Sequence, residues 1–209
     1  MLNEIALIGY SGHAYVVQEA LQAMGVQVVG YVDLQPQEKN PFELKYLGSE
    51  AQQGFSFNPD WGYALGLGSN VLRQNCYSAV KLASCMCLTI VSPGASVSPS
   101  CEIGEGSFVA RGVQVNALAS IGVGAILNTG SSVDHECVID DFVHVAPGAV
   151  LAGNVTVGKR TFIGANATVK QGVKIGDDVV IGAGSVVLKD VASSSLVYGN
   201  PAKIQDNVE

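Results

Sequence analysis

Every sixth residue of this chain is Val, Ile or Leu, without a break, from Val91, Val97 and Ile103 through to Ile175, Ile181 and Val187. These openers head seventeen hexads over 91–192, 102 of the 209 residues. Strict alternation would describe an ordinary half-buried strand. A period of six says something narrower: one large side chain points inward per short strand, and then the chain turns. Hexapeptide periodicity is the mark of a parallel β-helix. Three hexads make one triangular coil of eighteen residues, and successive coils stack at strand spacing, about 4.8 Å. The fifth position of each hexad, as at Cys101 and Cys137, holds a residue small enough to sit inside beside the opener. Gly, Asn or Asp near each corner tolerates a left-handed backbone, and the 25 glycines of the chain find their use there. No long loop interrupts the hexads.

Residues 1 to about 85 lack the hexad. Ile5-Ala6-Leu7-Ile8 is a continuous apolar run, the pattern of a buried parallel strand. Gly9-Tyr10-Ser11-Gly12-His13 follows, then a predicted helix from Ala14 to about Met24, ended by Gly25. A second strand spans Val28 to Val32 and stops at Asp33. A third covers Tyr63 to Leu67, and Asn70 is placed to cap a helix running to about Ala83. The order is βαβαβ, a small Rossmann-like domain over 1–85, joined to an all-β domain over 86–209. Its glycine loop is G-x-x-G-H and not GxGxxG. Its placement still suits a phosphate at a helix N-terminus. Asp33, at the end of the next strand, suits a ribose hydroxyl or a base edge. The loop lacks a third glycine, so the expected ligand is a nucleotide-bearing substrate and not NAD.

Charge excludes some partners. The net charge of −7 argues against nucleic acid, which demands a basic surface. Six of the eleven basic residues nevertheless fall after Gly158: Lys159, Arg160, Lys170, Lys174, Lys189 and Lys203. That cluster is either a solvated face or a strip for an anionic cofactor. Five cysteines without paired spacing suggest a reduced, cytoplasmic protein. Met1-Leu2-Asn3-Glu4 lacks the features of a secretory leader, and no run is long and apolar enough to span a membrane. Three histidines in all, one of them in the first domain, exclude a three-histidine zinc site within the repeat, so no metal is expected.

The G-x-x-G-H loop occurs together with Val133-Asp134-His135-Glu136-Cys137, Leu127-Asn128-Thr129-Gly130, Ala152-Gly153-Asn154 and the closing Gly199-Asn200-Pro201-Ala202-Lys203. In this combination the chain resembles the PglD/NeuD-type bacterial sugar acyltransferases over essentially its full length. The resemblance implies a left-handed β-helix, acetyl-CoA as co-substrate, a homotrimer with acetyl-CoA between neighbouring helices, and a sugar acceptor. It assigns His135 as the catalytic base and Glu136 as the group that orients it. An outward imidazole suits the first role, because imidazole exchanges protons near neutral pH. His144, Ala165 and Ala183 correspond to positions that hold acetyl-CoA. Gly153, one coil after His135, leaves room for the thioester and offers an N–H to the oxyanion. Ser11, Gly12, His13, Asp33 and Gly68 correspond to the nucleotide-sugar site. Members that act on a UDP-linked bacillosamine precursor can carry two adjacent acids after the second strand, whereas here Leu34 follows Asp33.

The expected function is N-acetylation of a nucleotide-linked 4-amino-4,6-dideoxy sugar. O-acetylation of a sialic acid or related sugar is one alternative. A non-catalytic subunit that binds a nucleotide sugar is the other.

Overall fold

The computed structural model describes residues 4–205. The extreme N-terminus read above for a leader and the end of the C-terminal tail lie outside them. The first domain is a five-stranded parallel sheet of β1 (Ile5–Ile8), β2 (Val28–Val32), β3 (Tyr46–Gly48), β4 (Gly62–Leu65) and β5 (Met86–Cys87), in the order β3-β2-β1-β4-β5. All four residues of β1 are buried, because the sheet is covered on both sides. Ile5 and Leu7 face α1 (Gly12–Ala23) through Ala14, Val17 and Leu21. Ala6 and Ile8 face α2 (Asn70–Leu82) through Cys76 and Val80. Side chains two apart along a strand share a face, so one four-residue run anchors both helices.

Several local expectations need correction. Helix α1 starts at Gly12, two residues before Ala14, because Ser11 already has extended dihedrals and acts as the N-cap. Gly9 makes the preceding turn at φ +80°, which only glycine adopts without strain. The cap of α2 is Ser69, whose Oγ accepts from the Leu72 N–H, and not Asn70. Strand β3 was not anticipated, since Tyr46-Leu47-Gly48 is too short to show a period. Strand β5 carries the first sheet two residues beyond 85.

The second domain is the expected prism. Two-residue strands end on each hexad opener, and each pairs in parallel with the strand eighteen residues on, as Gln114↔Ser132 and Ser132↔Val150. They form three sheets, one per face. Face 1 carries Val91, Val109, Leu127, Val145, Ile163 and Ile181; face 2 carries Val97, Val115, Val133, Leu151, Val169 and Val187; face 3 carries Ile103, Ile121, Ile139, Val157 and Ile175. The fifth positions are inside, with Ala125, Ser131, Cys137, Val143 and Ala149 wholly buried.

From Gly106 to Gly184 the left-handed backbone falls on the fourth position of every hexad, whatever residue stands there. It holds at Gly106 and Gly130, but also at Leu118, Glu136, Phe142 and Arg160. The eighteen-residue register fails once. Val191 bridges Ile175 and Leu196 pairs with Val180, both sixteen apart, so the turn after Val187 is two residues short. An antiparallel hairpin, Leu196–Gly199 with Ala202–Ile204, then extends face 1.

The first domain sits over face 1 and the corner between faces 3 and 1. His13 packs edge-on against Phe108 at 5.5 Å and Tyr77 against Phe142 at 5.5 Å. Asn70 Nδ2 donates to the Arg160 carbonyl at 2.7 Å.

Candidate active site

The chain leaves face 2 at Val133 and turns through Asp134, His135 and Glu136 to reach Val138 on face 3. Asp134 sets the turn. Its Oδ1 accepts from the His135 N–H at 2.7 Å and from Asn116 Nδ2, one coil below, at 2.8 Å. The Asn116 bond first, and the His135 N–H second, hold the Asp134 carboxyl below its usual range. The His135 side chain is 47% exposed at this corner. Its Nδ1 lies 3.0 Å from Glu136 Oε2, which leaves Nε2 as the nitrogen free to accept a proton. Glu136 is at φ +59°, a conformation that costs a non-glycine residue roughly 1 kcal/mol. Glycine fills this hexad position in many coils, so the carboxylate is kept here at a cost to the backbone.

Gly153 lies one coil above His135. A Cβ there would collide with His135 Cε1 and Nε2. The space left by this glycine is therefore filled by the imidazole, and not held open for a thioester. Among the described residues, the Gly153 N–H donates to no protein acceptor, and neither do those of Ala165 and Ala183. Cys137, two residues from His135, points into the prism, is fully buried, and donates to the Ala152 carbonyl at 3.2 Å. Burial raises its thiol, so it is no nucleophile.

His144 lies elsewhere. It is on face 1, the face opposite the corner of His135, and it is buried beneath the first domain. Asn128 Oδ1 accepts from the Thr129 N–H at 2.8 Å, which turns its Nδ2 toward His144 Nε2 at 3.1 Å. Nε2 is then an acceptor, so the proton sits on Nδ1, 3.3 Å from the Gly68 carbonyl. His13 stands 6.2 Å from His144 between ring centroids, and its Nε2 is buried with no partner among the described residues. Burial, then His144 and Arg73, lower His13 to about 3. Burial, then Arg73, lower His144 to about 4. Both rings are neutral at pH 7.

At the sheet edge, Asp33 Oδ2 accepts from the Tyr10 N–H at 2.9 Å and from Gln37 Nε2 at 3.2 Å. It thereby braces the glycine loop. Ser11 is exposed and makes no capping bond with its side chain.

The predicted residues thus fall in three places. His135, Glu136 and Gly153 share the corner of faces 2 and 3. Ala165 and Ala183 sit where the chain turns from face 1 to face 2. His13, Gly68 and His144 meet at the domain joint, with Ser11, Gly12 and Asp33 beside it on the first domain. Of the six late cations, Arg160 pairs with Asp178 through two bonds of 2.7 and 2.6 Å, and Lys159 lies 3.4 Å from Asp141. Lys170, Lys174, Lys189 and Lys203 make no ion pair among the described residues. Those residues also hold no group of three or more His, Cys, Asp or Glu fit for a metal ion. No helix among them is long and apolar enough to cross a membrane.

Sequence reasoning assigned no role to Arg73 or Asn128. The one available signal for Arg73 was its place on the stripe Arg73, Cys76, Val80, the buried face of α2.

Fold and site together define a two-domain protein of the transferase type, a doubly wound α/β unit docked on a hexapeptide-repeat prism with an exposed histidine–carboxylate pair. Residues 4–80 match the PglD N-terminal domain and residues 148–189 match the hexapeptide repeat of succinyl-transferase. The chain is similar to a histidine-to-asparagine variant of perosamine N-acetyltransferase from Caulobacter crescentus, solved in complex with CoA and GDP-perosamine. The two are 38% identical, with 98% of this chain and 97% of that one covered and a TM-score of 0.90. It is also similar to the acetyltransferase domain of PglB from Neisseria gonorrhoeae (33% identity, 97% and 100% covered, TM-score 0.90). WeeI from Acinetobacter baumannii is a further similar structure (26% identity, 96% and 99% covered, TM-score 0.85). Comparison with curated protein sequences gives no match. The chain belongs to the PglD/NeuD-type hexapeptide-repeat acyltransferase family, and its prism is the left-handed β-helix of that family.

Proposed function

We propose that this chain is an acetyl-CoA-dependent N-acetyltransferase whose acceptor is a nucleotide-linked 4-amino-4,6-dideoxy sugar. The observation that carries this reading is the exposed His135–Glu136 pair at 3.0 Å, on a chain whose two domains both align with perosamine N-acetyltransferase. In the proposed step the acceptor amine attacks the thioester carbon. His135 Nε2 takes the amine proton, and Glu136 holds the ring through Nδ1. A C–N bond replaces the C–S bond, and the proton passes from His135 to the departing sulfur. The Gly153 N–H, one coil above the ring and without a protein acceptor among the described residues, is the donor offered to the charge on the thioester oxygen. Transfer is direct, since Cys137 is turned into the prism.

The co-substrate lies along the corner of faces 2 and 3. Continuing the eighteen-residue register upward from His135 and Gly153 reaches Gln171, and Lys189 follows in the shortened turn after Val187. Lys189 and the neighbouring Lys170, both unpaired among the described residues, suit the phosphates of CoA.

The layout supports a homotrimer. The first domain covers face 1, whereas His135 projects from the opposite corner. In the trimer so read, the first domain of one copy lies away from its own His135, and a neighbouring helix supplies the second wall, including Ala165 and Ala183.

The test is thiol release from acetyl-CoA with GDP-, UDP- and dTDP-linked 4-amino-4,6-dideoxy sugars, beside free amino sugars and sialic acid. Release with one nucleotide-linked amine is the expected result. Release with sialic acid alone moves the protein to O-acetylation. Binding of a nucleotide sugar with no release makes it a binding subunit.

A further inference from the structure

Arg73 is 1% exposed, the largest fully buried side chain among the described residues, and none of their carboxylates pairs with it. Its guanidinium donates from Nε to Gly124 O (2.6 Å), and from Nη1 to Leu67 O (3.1 Å) and Gly68 O (3.2 Å). From Nη2 it donates to Asn70 Oδ1 (2.8 Å), Phe142 O (2.8 Å) and Val143 O (3.4 Å). Burial pulls it down to about 9, so it remains a cation at neutral pH, neutralised only by carbonyl dipoles. Burying a charge in this way is poor economy for stability, and an apolar residue of similar volume often does as well.

The distinctive feature is the shared acceptor. Gly68 O takes the Arg73 Nη1 proton at 3.2 Å and the His144 Nδ1 proton at 3.3 Å, one for each lone pair. From His144 the chain of bonds continues through Nε2 to Asn128 Nδ2, and from Asn128 Oδ1 to the Thr129 N–H. One hydrogen of Asn128 Nδ2 is left over at the turn where face 1 meets face 2. The charged and titratable groups that face His144 are Arg73 from α2 and His13 from α1.

We propose that Arg73 is a positioning residue for acetyl transfer. By clamping the Gly68 carbonyl against the β-helix it holds His144 in one neutral tautomer, and through His144 it aims the spare Asn128 N–H at a bound substrate. The inference rests on the transferase reading above. It makes the domain joint part of the reaction: the Gly68 carbonyl of the first domain fixes the ring that aims a donor carried by the prism.

The first measurement is the ¹⁵N NMR spectrum of histidine-labelled wild-type protein at neutral pH. His144 is expected with its proton on Nδ1. A proton on Nε2 overturns the proposal even in a fully active enzyme, whereas a wild-type protein that transfers no acetyl group removes the functional reading first. Arg73→Lys, with its fold checked by thermal melting, is expected to lower kcat about 10- to 100-fold, as loss of a group that orients an active-site ligand typically does. KM for the acceptor should stay within about threefold, and His144 should show a mixture of tautomers. Unchanged kcat, or reduced kcat with the single tautomer retained, refutes the idea. Asn70→Ala is the milder second variant, since it keeps the guanidinium and removes one acceptor. It should lower kcat and mix the tautomers to a smaller degree. Lost stability with kcat and tautomer both unchanged counts against a positioning role.

Discussion

Glu136 occupies a left-handed position that glycine fills in many other coils, and three of the four bulky residues found at such positions have a visible reason to be there. Phe142 packs on Tyr77, Arg160 pairs with Asp178, and Glu136 holds His135; nothing explains Leu118. Glu136→Gly therefore relieves the backbone while releasing the imidazole. It is expected to leave the melting temperature unchanged or raised and to slow turnover about 10- to 100-fold. Steady-state rates beside a melting curve check this, and a stabilised variant with normal turnover would remove Glu136 from the mechanism. Gly153→Ala asks whether the glycine serves the ring. Its Cβ would displace the imidazole, so kcat should fall by about tenfold or more with little loss of fold. The residue types at this corner were readable in the sequence, because the hexad register stacks His135 on Gly153. What fills the gap between them was not, since a glycine is equally compatible with a ligand or with a neighbouring ring.

At the scale of elements, the prism was legible in full outline because each coil repeats one rule: an aliphatic opener inside, a small fifth residue beside it, a turn between. The first domain was legible where a strand is buried on both sides, as in Ile5–Ile8, and illegible where a strand is three residues long, as in Tyr46–Gly48. The joint was hidden altogether, since it is made by residues far apart in sequence that have no shared period. Phe142 is central to it, with its ring against Tyr77 and its carbonyl on Arg73. Phe142→Ala should destabilise the joint by about 3 kcal/mol and split the thermal transition into two, the first domain melting earlier. A single unshifted transition would contradict this.

The same joint carries a pH dependence with a definite sign. His13 and His144 are lowered in the folded state to about 3 and about 4, against an unfolded value of about 6.5. The unfolded chain therefore binds more protons between those values. Stability from the neutral, buried rings is fully present above about pH 6.5 and is lost progressively as pH falls toward the folded values. Calorimetry between pH 7.5 and pH 5 should show a falling melting temperature, and His144→Gln should flatten the fall. Asp178, held low by Arg160, contributes above its unfolded value of about 3.9 and loses that contribution only below it, outside this window.

For the whole molecule, the geometry separates two functions that the reaction must bring together. The first domain covers one face of the prism and His135 stands at the opposite corner. Sedimentation is expected to give three times the 21.6 kDa of one chain. Mixed assemblies should carry the sharper signature. His135→Ala subunits and Asp33→Ala subunits, each inactive alone, should recover activity after joint refolding, since some of their shared grooves would hold one intact half from each. Absence of any recovery, with mixed assemblies demonstrated, would place the whole site within one copy. Periodicity in the sequence pointed to a prism with flat faces. Which corner carries His135 and which face carries the first domain emerged only in three dimensions, because they depend on where the chain enters the prism.

His135 carries the proposed chemistry most directly. The decisive measurement is acetyl transfer to the best nucleotide-linked amino sugar by wild-type protein and by His135→Ala, with acetyl-CoA affinity determined for both by calorimetry. A loss of about 100-fold or more in kcat, with affinity for acetyl-CoA unchanged, is the predicted result. Undiminished turnover in His135→Ala would contradict the central claim and place the base elsewhere.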